Sequence, residues 1–198
     1  VYPDDGTTNI DLVRSALSAM NEAKRRSEHF TVFNRDLHER SLGKIRIKAN
    51  IRKALVDEQF ELRFQPVVHT DGSLAGAEAL IRWHHPELGW IPPMEFIPIA
   101  EEAGDILMVG RWVMFQVCSC LKQLEDVIGD RYISVNLSTR EFATENLVEE
   151  IADILRVSGW SRPETLKLEI TETQGMSDMD DTIAKMNSFH AMGFGLFV

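Results

Sequence analysis

Three segments that alternate like β-strands each carry a side chain whose oxygen atom could bind a metal ion. They span residues 76–84, 131–138 and 165–172, and in each of them aliphatic side chains fill most of one set of alternate positions. Alternation places Glu78, Asn136 and Glu169 on the strand faces opposite the aliphatic side chains. Two carboxylates and an amide oxygen suit a hard cation such as Mg²⁺ or Mn²⁺, with water in the remaining positions.

Two further polar side chains extend this pattern. Arg82 shares the face of Glu78 further along the same strand, and its planar guanidinium suits a phosphate. Gln65 lies on the polar face of an earlier strand. A cation beside such an arginine indicates phosphodiester hydrolysis, since a divalent ion lowers the pKa of water and stabilises an in-line displacement. Alternation is equally typical of a sheet whose polar face meets solvent, so the periodicity leaves both interpretations open.

Strand-like and helix-like segments alternate from Glu61 onward. The predicted strands are 61–69, 76–84, 131–138, 165–172 and 193–198, and the predicted helices between them are 107–126, 145–158 and 178–191. This order is typical of a parallel α/β sheet. A (β/α) barrel tolerates polar side chains near the carboxyl ends of its strands, where its active site lies. Upstream, the sequence predicts helices over 9–26 and 35–57 and a short strand over 30–33.

Composition excludes several classes of protein. The 198 residues contain 21 Lys and Arg against 31 Asp and Glu, a formal net charge of −10. Such an acidic chain does not suit non-specific binding to a nucleic-acid polymer. No apolar run approaches the roughly 20 residues that span a bilayer, and the first residues do not read as a signal peptide. Two cysteines do not make a disulfide scaffold, so we expect a cytoplasmic protein.

Two other residue pairs could suggest metal or redox chemistry. His84 and His85 are adjacent, so they point to opposite faces of a strand and are not expected to share a metal ion. Cys118 and Cys120 are two positions apart on a predicted helix and do not face each other. Buried small side chains are the better interpretation of these cysteines.

Five motifs in a fixed order carry a resemblance to a known family. They are Gln65-Pro66-Val67, Glu78-Ala79-Leu80-Ile81-Arg82, the PxxFIPxAE pattern from Pro93 to Glu101, Val135-Asn136-Leu137-Ser138, and Leu168-Glu169-Ile170-Thr171-Glu172. Together they resemble the EAL-type cyclic di-GMP phosphodiesterases. The resemblance implies an α/β fold, a (β/α)8 TIM-like barrel, that hydrolyses cyclic di-GMP to linear pGpG with Mg²⁺ or Mn²⁺.

The resemblance also implies roles for single residues. Glu78, Asn136 and Glu169 match the family's metal ligands. Arg82 matches its phosphate-contacting arginine, and Gln65 matches a substrate-side position. Glu172 matches a glutamate that anchors a catalytic loop. The general base and further metal-binding aspartates are expected beyond Val198, so the barrel is expected to be incomplete in this chain.

The first 34 residues resemble a different family. Tyr2-Pro3-x-Asp5-Gly6 and Ala19-Met20-x-x-Ala23-Lys24 are similar to the carboxyl-terminal end of GGDEF-type diguanylate cyclase domains. We therefore expect a GGDEF-like remnant over 1–34, a helical linker over 35–57 and the amino-terminal part of an EAL domain over 58–198. The chain is then expected to belong to a longer signalling protein, and that protein could carry a membrane anchor.

Three functions remain to be weighed. The first is the phosphodiesterase itself. The second is a catalytically inactive EAL domain that serves as a cyclic di-GMP receptor, and the third is a dimerisation or regulatory module. Retention of all three metal-ligand positions favours the enzyme. A homodimer is the common symmetric arrangement for such a module.

Overall fold

The computed structural model describes residues 2–25, 28–33, 35–170 and 179–197. The chain forms two units, residues 1–50 and 51–198. In the first unit, helix α1 (Asn9–Arg25) begins beyond Thr8, whose Oγ1 accepts a hydrogen bond from the Asp11 amide at 3.2 Å. Ala19 and Ala23 form the buried stripe of this helix. The predicted helix over 9–26 is confirmed.

The strand predicted over 30–33 is wrong. Residues 28–33 have no regular structure, and the Phe30 and Val32 side chains are 80% and 66% exposed. A short apolar run becomes a strand only where another strand pairs with it, and no described strand does so here.

Helix α2 (Arg35–Val56) confirms the helix predicted over 35–57 and supplies its last residues to the second unit. Its buried stripe consists of Ile47, Ile51 and Ala54, which recur at helical spacing. Leu42 and Ile45, which also contribute to the apolar pattern of the sequence, are exposed.

The second unit alternates strands with helices, as predicted. Its strands are β1 (Phe60–Val68), β2 (Leu74–His85), β3 (Gly89–Ile91), β4 (Tyr132–Leu137), β5 (Leu166–Ile170) and β6 (Gly195–Phe197). Its helices are α3 (Pro93–Ala103), α4 (Ile106–Gln123), α5 (Glu125–Ile128), α6 (Thr139–Phe142), α7 (Leu147–Ser158) and α8 (Met179–Ala191), with a 3₁₀ turn over Pro163–Thr165.

The strands form one sheet in the order β1-β2-β4-β5-β6, with β3 paired to the free part of β2. Neighbours from β2 to β6 run parallel, as expected. The expectation is wrong for β1, which is antiparallel to β2. The five residues between these strands turn at Asp71-Gly72, where Gly72 has φ +85°, and a link this short cannot make a parallel crossover. The described sheet does not close into a barrel.

Helix α6 has no counterpart among the predicted elements, and neither have helix α3 and strand β3. Helix α3 starts with Pro93 in its first turn, where a missing amide costs nothing, and ends at Gly104 with φ +79°. Strand β3 adds a second antiparallel partner to β2, with Trp83 opposite Ile91. Both lie in a proline-rich segment whose apolar spacing matches neither helix nor strand over its whole length.

One face of the sheet packs into the hydrophobic core of the second unit. Its buried side chains are Ala79, Ile81 and Trp83 of β2, Ile133, Val135 and Leu137 of β4, and Leu166, Leu168 and Ile170 of β5. Helices α3 and α4 cover this face, and α7 packs on α4. At one end Phe60, Trp83 and Phe96 form a ring cluster with centroids 5.2 to 5.6 Å apart. None of the helices in the described ranges is both long and apolar enough to cross a bilayer.

Candidate metal site

The strand register brings the three predicted ligand residues to the opposite face of the sheet. Glu78 of β2 pairs with Ser134 of β4, and Asn136 of β4 pairs with Glu169 of β5. Paired residues of neighbouring strands share a face, and side chains two positions apart on one strand do so too. Glu78, Asn136 and Glu169 therefore lie on one face, which we call the inner face.

Glu78 and Asn136 are in direct contact. The Asn136 Nδ2 donates a hydrogen bond of 2.7 Å to Glu78 Oε1. The backbone pairing between β2 and β4 runs from Gly76 opposite Tyr132 to Ala79 opposite Val135 and stops there. The contact thus joins the two strands by side chains, at the place where their backbones separate.

Glu169 completes the set from the other side of Asn136. It is half-buried and stands opposite Asn136 in the β4–β5 ladder. A carboxylate, an amide and a second carboxylate on successive strands are donors that suit Mg²⁺ or Mn²⁺. In the described part of the chain, no cluster of three or more His, Cys, Asp or Glu side chains is arranged to hold a metal ion. Glu78, Asn136 and Glu169 thus supply three oxygen-donor side chains on one face of the sheet, and by themselves they do not form such a cluster.

Arg82 and Gln65 flank this group along the inner face. Gln65 pairs with Glu78 across the antiparallel β1–β2 ladder and is exposed. Arg82 lies four residues beyond Glu78, towards the carboxyl end of β2, and its Nη1 donates to the Ile81 carbonyl at 2.8 Å. Both side chains thus share the face of Glu78, and Arg82 lies at the strand end where barrel active sites are built.

The remaining predicted position cannot be placed. Glu172 lies in residues 171–178, outside the described residues. The helix predicted over 178–191 is confirmed over its described residues as α8, and just beyond it Gly193 has φ +98° and donates its amide to the His190 carbonyl at 2.9 Å.

A lysine beside the candidate ligands was not singled out from the sequence. Lys167, two residues before Glu169 on the inner face, has its Nζ 3.5 Å from the centroid of the Tyr132 ring and 4.6 Å from that of Phe197. A Cβ on Gly195 would come within 2.7 Å of the Lys167 Cγ, and one on Gly76 would come within 2.5 Å of the Tyr132 carbonyl oxygen. The two glycines are the sequence signal for these close contacts.

Ser134 is a second polar residue on this face. It is only 1% exposed and stands between Glu78 and Lys167 in the strand register. Its Oγ has no hydrogen-bond partner among the described residues. A buried hydroxyl in this state ordinarily takes a water or ligand oxygen as partner.

The histidine and cysteine pairs form no joint site. His85 is buried, and its Nδ1 accepts from the Glu87 and Leu88 amides at 3.1 and 3.2 Å. His84 is exposed and lies against Trp90, with ring centroids 4.8 Å apart and the ring planes tilted by 57°. The two histidines therefore lie on opposite faces of β2, as their adjacency predicts.

The cysteine thiols are shielded from solvent to different degrees. Burial raises the pKa of Cys118 to about 11 and raises that of the half-buried Cys120. Thiols of this kind are poor nucleophiles and packing groups rather than reactive ones.

The comparisons identify the family. A profile of the EAL domain matches residues 48–198, and the chain belongs to the EAL domain family. A bifunctional diguanylate cyclase/cyclic di-GMP phosphodiesterase, MucR of Pseudomonas aeruginosa, is 34% identical over 100% of this chain and 29% of its own length. The cyclic di-GMP phosphodiesterase PdeR of Escherichia coli is 29% identical over 96% of this chain and 29% of its own length. The chain thus spans less than a third of these relatives.

A solved structure agrees with this assignment. The phosphodiesterase of PaMucR, in complex with c-di-GMP, is 36% identical and superposes with a TM-score of 0.70. The match covers 76% of this chain and 62% of that one. The α/β fold of the EAL type, expected from the five motifs, is therefore confirmed.

Proposed function

We propose that this chain is part of a phosphodiesterase that hydrolyses cyclic di-GMP to linear pGpG with Mg²⁺ or Mn²⁺. The observation that supports it most is the 2.7 Å contact between Asn136 and Glu78, with Glu169 opposite Asn136 in the next ladder. The three residues match the metal-ligand positions that the resemblance implies, and the relatives MucR and PdeR are named as cyclic di-GMP phosphodiesterases.

In this proposal the three oxygen-donor residues, Glu78, Asn136 and Glu169, hold the cation. A divalent cation held there would supply Lewis-acid chemistry, which would favour attack by water and stabilise charge in an in-line displacement at phosphorus. Arg82 is at the carboxyl end of β2, where its guanidinium can pair with a phosphate of the substrate. Gln65, opposite Glu78 in the β1–β2 ladder, would meet the substrate, and the loop-anchoring role of Glu172, outside the described residues, is proposed from the resemblance alone.

The inner face brings charges of both signs together. Glu78 and Glu169 attract a cation, whereas Lys167 and Arg82 favour the phosphates of the substrate. Lys167 has no carboxylate within ion-pair distance in the described part of the chain. Its ammonium group instead makes cation–π contacts with the rings of Tyr132 and Phe197. A dianionic cyclic dinucleotide bound together with a divalent cation suits such a mixed surface.

The domain assignment is also a proposal. Residues 1–34 are the end of a GGDEF-like domain, 35–57 a helical linker and 58–198 the first part of the EAL domain. The alignment with MucR over the whole chain supports this order, since MucR is named for both activities. We further propose that the protein acts in the cytoplasm as a homodimer.

The test is a hydrolysis assay on the full-length protein that carries this chain. Purified protein is incubated with cyclic di-GMP and Mg²⁺, and the products are separated by chromatography, with EDTA as a control. Linear pGpG that disappears with EDTA supports the proposal. No product with tight binding of cyclic di-GMP would instead establish a receptor, and neither product nor binding would leave a dimerisation role.

A further inference from the structure

Helix α6 follows directly on the strand that carries Asn136, and a buried carboxylate holds its first turn. The Ser138 amide donates to Glu141 Oε2 at 2.9 Å, and the Glu141 amide donates to Ser138 Oγ at 3.2 Å. These reciprocal bonds are a capping box. The Glu141 residue is only 6% exposed, although a carboxylate is costly to bury.

The other oxygen of this carboxyl group lies against helix α4. A Cβ built on Gly110 would stand 1.6 Å from Glu141 Oε1. Any side chain at position 110 would therefore displace the Glu141 carboxyl group. Gly110 lies inside a helix, where glycine is unfavourable by about 1 kcal/mol relative to alanine. The space that Gly110 leaves for the Glu141 carboxyl group therefore costs helix stability.

The end of strand β4 needs such support. Its ladder with β2 stops at Val135, whereas its ladder with β5 continues to Leu137 opposite Ile170. Within the described sheet, Asn136 and Leu137 therefore pair with a neighbouring strand on one side only. The next peptide amide, that of Ser138, is the one that Glu141 binds.

We propose that Glu141 is a positioning residue of the metal site. By holding the Ser138 peptide against α4, it fixes the end of β4 and keeps the Asn136 amide within reach of Glu78. The inference rests on the proposed role of Asn136 as a metal ligand. It assigns Glu141 no contact with metal or substrate.

Four variants of the full-length protein test this role through Mn²⁺ affinity, measured by calorimetric titration at pH 8. Glu141→Ala should weaken binding at least about tenfold, the range found for groups that orient metal ligands. Glu141→Gln should keep an Mn²⁺ affinity close to that of wild type, because the glutamine carbonyl oxygen can still accept a hydrogen bond from the Ser138 amide. Gly110→Ala should weaken binding although Glu141 is unchanged. Glu150→Ala is the control. It removes a carboxylate that pairs with Arg111 and lines the same small cavity as Glu141, and it should bind Mn²⁺ with wild-type affinity.

The double variant Gly110→Ala/Glu141→Ala separates positioning from stability. Its new methyl group occupies space that the glutamate leaves, so its melting temperature should exceed that of Glu141→Ala. Its Mn²⁺ affinity should stay low, because no side chain at position 141 accepts a hydrogen bond from the Ser138 amide. If affinity recovers together with the melting temperature, Glu141 is merely a packing residue and the inference is wrong.

An Asn136→Ala control separates this inference from the proposed function. If Asn136→Ala binds Mn²⁺ as wild type does, the proposed ligand set fails. If Asn136→Ala loses affinity but Glu141→Ala and Gly110→Ala keep it, the ligand set stands and the role of Glu141 is overturned. Near-UV circular dichroism establishes that each variant is folded, and Gly110→Ala probes the same contact should Glu141→Ala fail to fold.

Discussion

The Asn136 amide donates a 2.7 Å hydrogen bond to Glu78 Oε1, across two strands whose backbone pairing ends one residue earlier on β4. The contact links residues 58 positions apart in the chain. The proposed metal site rests on this contact, and Glu169 stands opposite Asn136 in the ladder between β4 and β5.

Asn136→Asp should make the stability of the protein depend more strongly on metal. Aspartate cannot donate to Glu78, so two carboxylates would face each other where an amide now bridges, and like charges at this distance repel. With EDTA the melting temperature should fall below that of wild type. With Mn²⁺ much of the loss should be recovered, because a cation offsets the repulsion.

Differential scanning fluorimetry with and without Mn²⁺ measures this difference. Asn146→Asp, at the start of α7, serves as the matched control for the same chemical change. An equal response to Mn²⁺ in Asn136→Asp and wild type would contradict a shared site at Asn136 and Glu78.

Glu78→Gln should abolish hydrolysis of cyclic di-GMP while leaving the fold intact. Its carbonyl oxygen can still accept from Asn136, but the negative charge that would hold the cation is gone. We expect a loss of at least about 100-fold in kcat, the scale of a lost electrostatic contact in an active site.

The matched control is Glu164→Gln, which removes an exposed carboxylate paired with Arg162 in the 3₁₀ turn before β5. Chromatographic rates for the two variants, at saturating cyclic di-GMP and Mg²⁺, give the comparison. Normal turnover by Glu78→Gln would remove Glu78 from the mechanism.

Glu141 should make the free energy of unfolding fall as pH rises. Burial, with a smaller repulsion from Glu101, raises its pKa from 4.5 to about 7, and hydrogen bonds from Ser138 only partly oppose this. Between pH 4.5 and 7 the folded state holds the proton that the unfolded state has lost, so stability is fully present below that window. The loss should reach about 3 kcal/mol near pH 7 and then level off.

Urea denaturation of wild type and Glu141→Gln at pH 5, 6 and 7.5 isolates this contribution, because groups common to both proteins cancel. The stability of wild type relative to the variant should decline across that series. Parallel pH profiles would show that the Glu141 carboxyl group is not desolvated in the folded protein.

Lys167 should stabilise the inner face through its contacts with aromatic rings. Lys167→Met keeps an apolar stem against Tyr132 and Phe197 but removes the charge, so it should cost about 0.5–1 kcal/mol of unfolding free energy. Lys167→Ala should cost more, since the stem is lost as well. Guanidinium denaturation tests the order, and equal stability of Lys167→Ala and wild type would contradict it.

Part of the site could be predicted because strand geometry has a period of two. Alternation alone placed Glu78, Asn136 and Glu169 on the faces opposite the aliphatic side chains, and the register of the strands confirms this. The offset between β2 and β4, which decides that Asn136 reaches Glu78, depends on packing between distant segments. No local pattern records that offset.

Other features of the fold were not predicted from the sequence, each for its own reason. The α3 segment has Pro98 inside a helix, which masks the helical pattern. The antiparallel β1–β2 hairpin could have been recognised from the short Asp71-Gly72 link, which allows no crossover. The role of Gly110 could not, because its meaning depends on a carboxylate 31 positions later in the chain.

The most direct test of the central claim is a Mn²⁺ titration of the full-length protein, followed by electron paramagnetic resonance. Glu169→Gln is compared with wild type and with Glu145→Gln, an exposed carboxylate outside the strands. The account predicts that wild type and Glu145→Gln bind Mn²⁺ with equal affinity, whereas Glu169→Gln loses at least about tenfold. Equal Mn²⁺ affinity in all three proteins would contradict a metal site built from Glu78, Asn136 and Glu169.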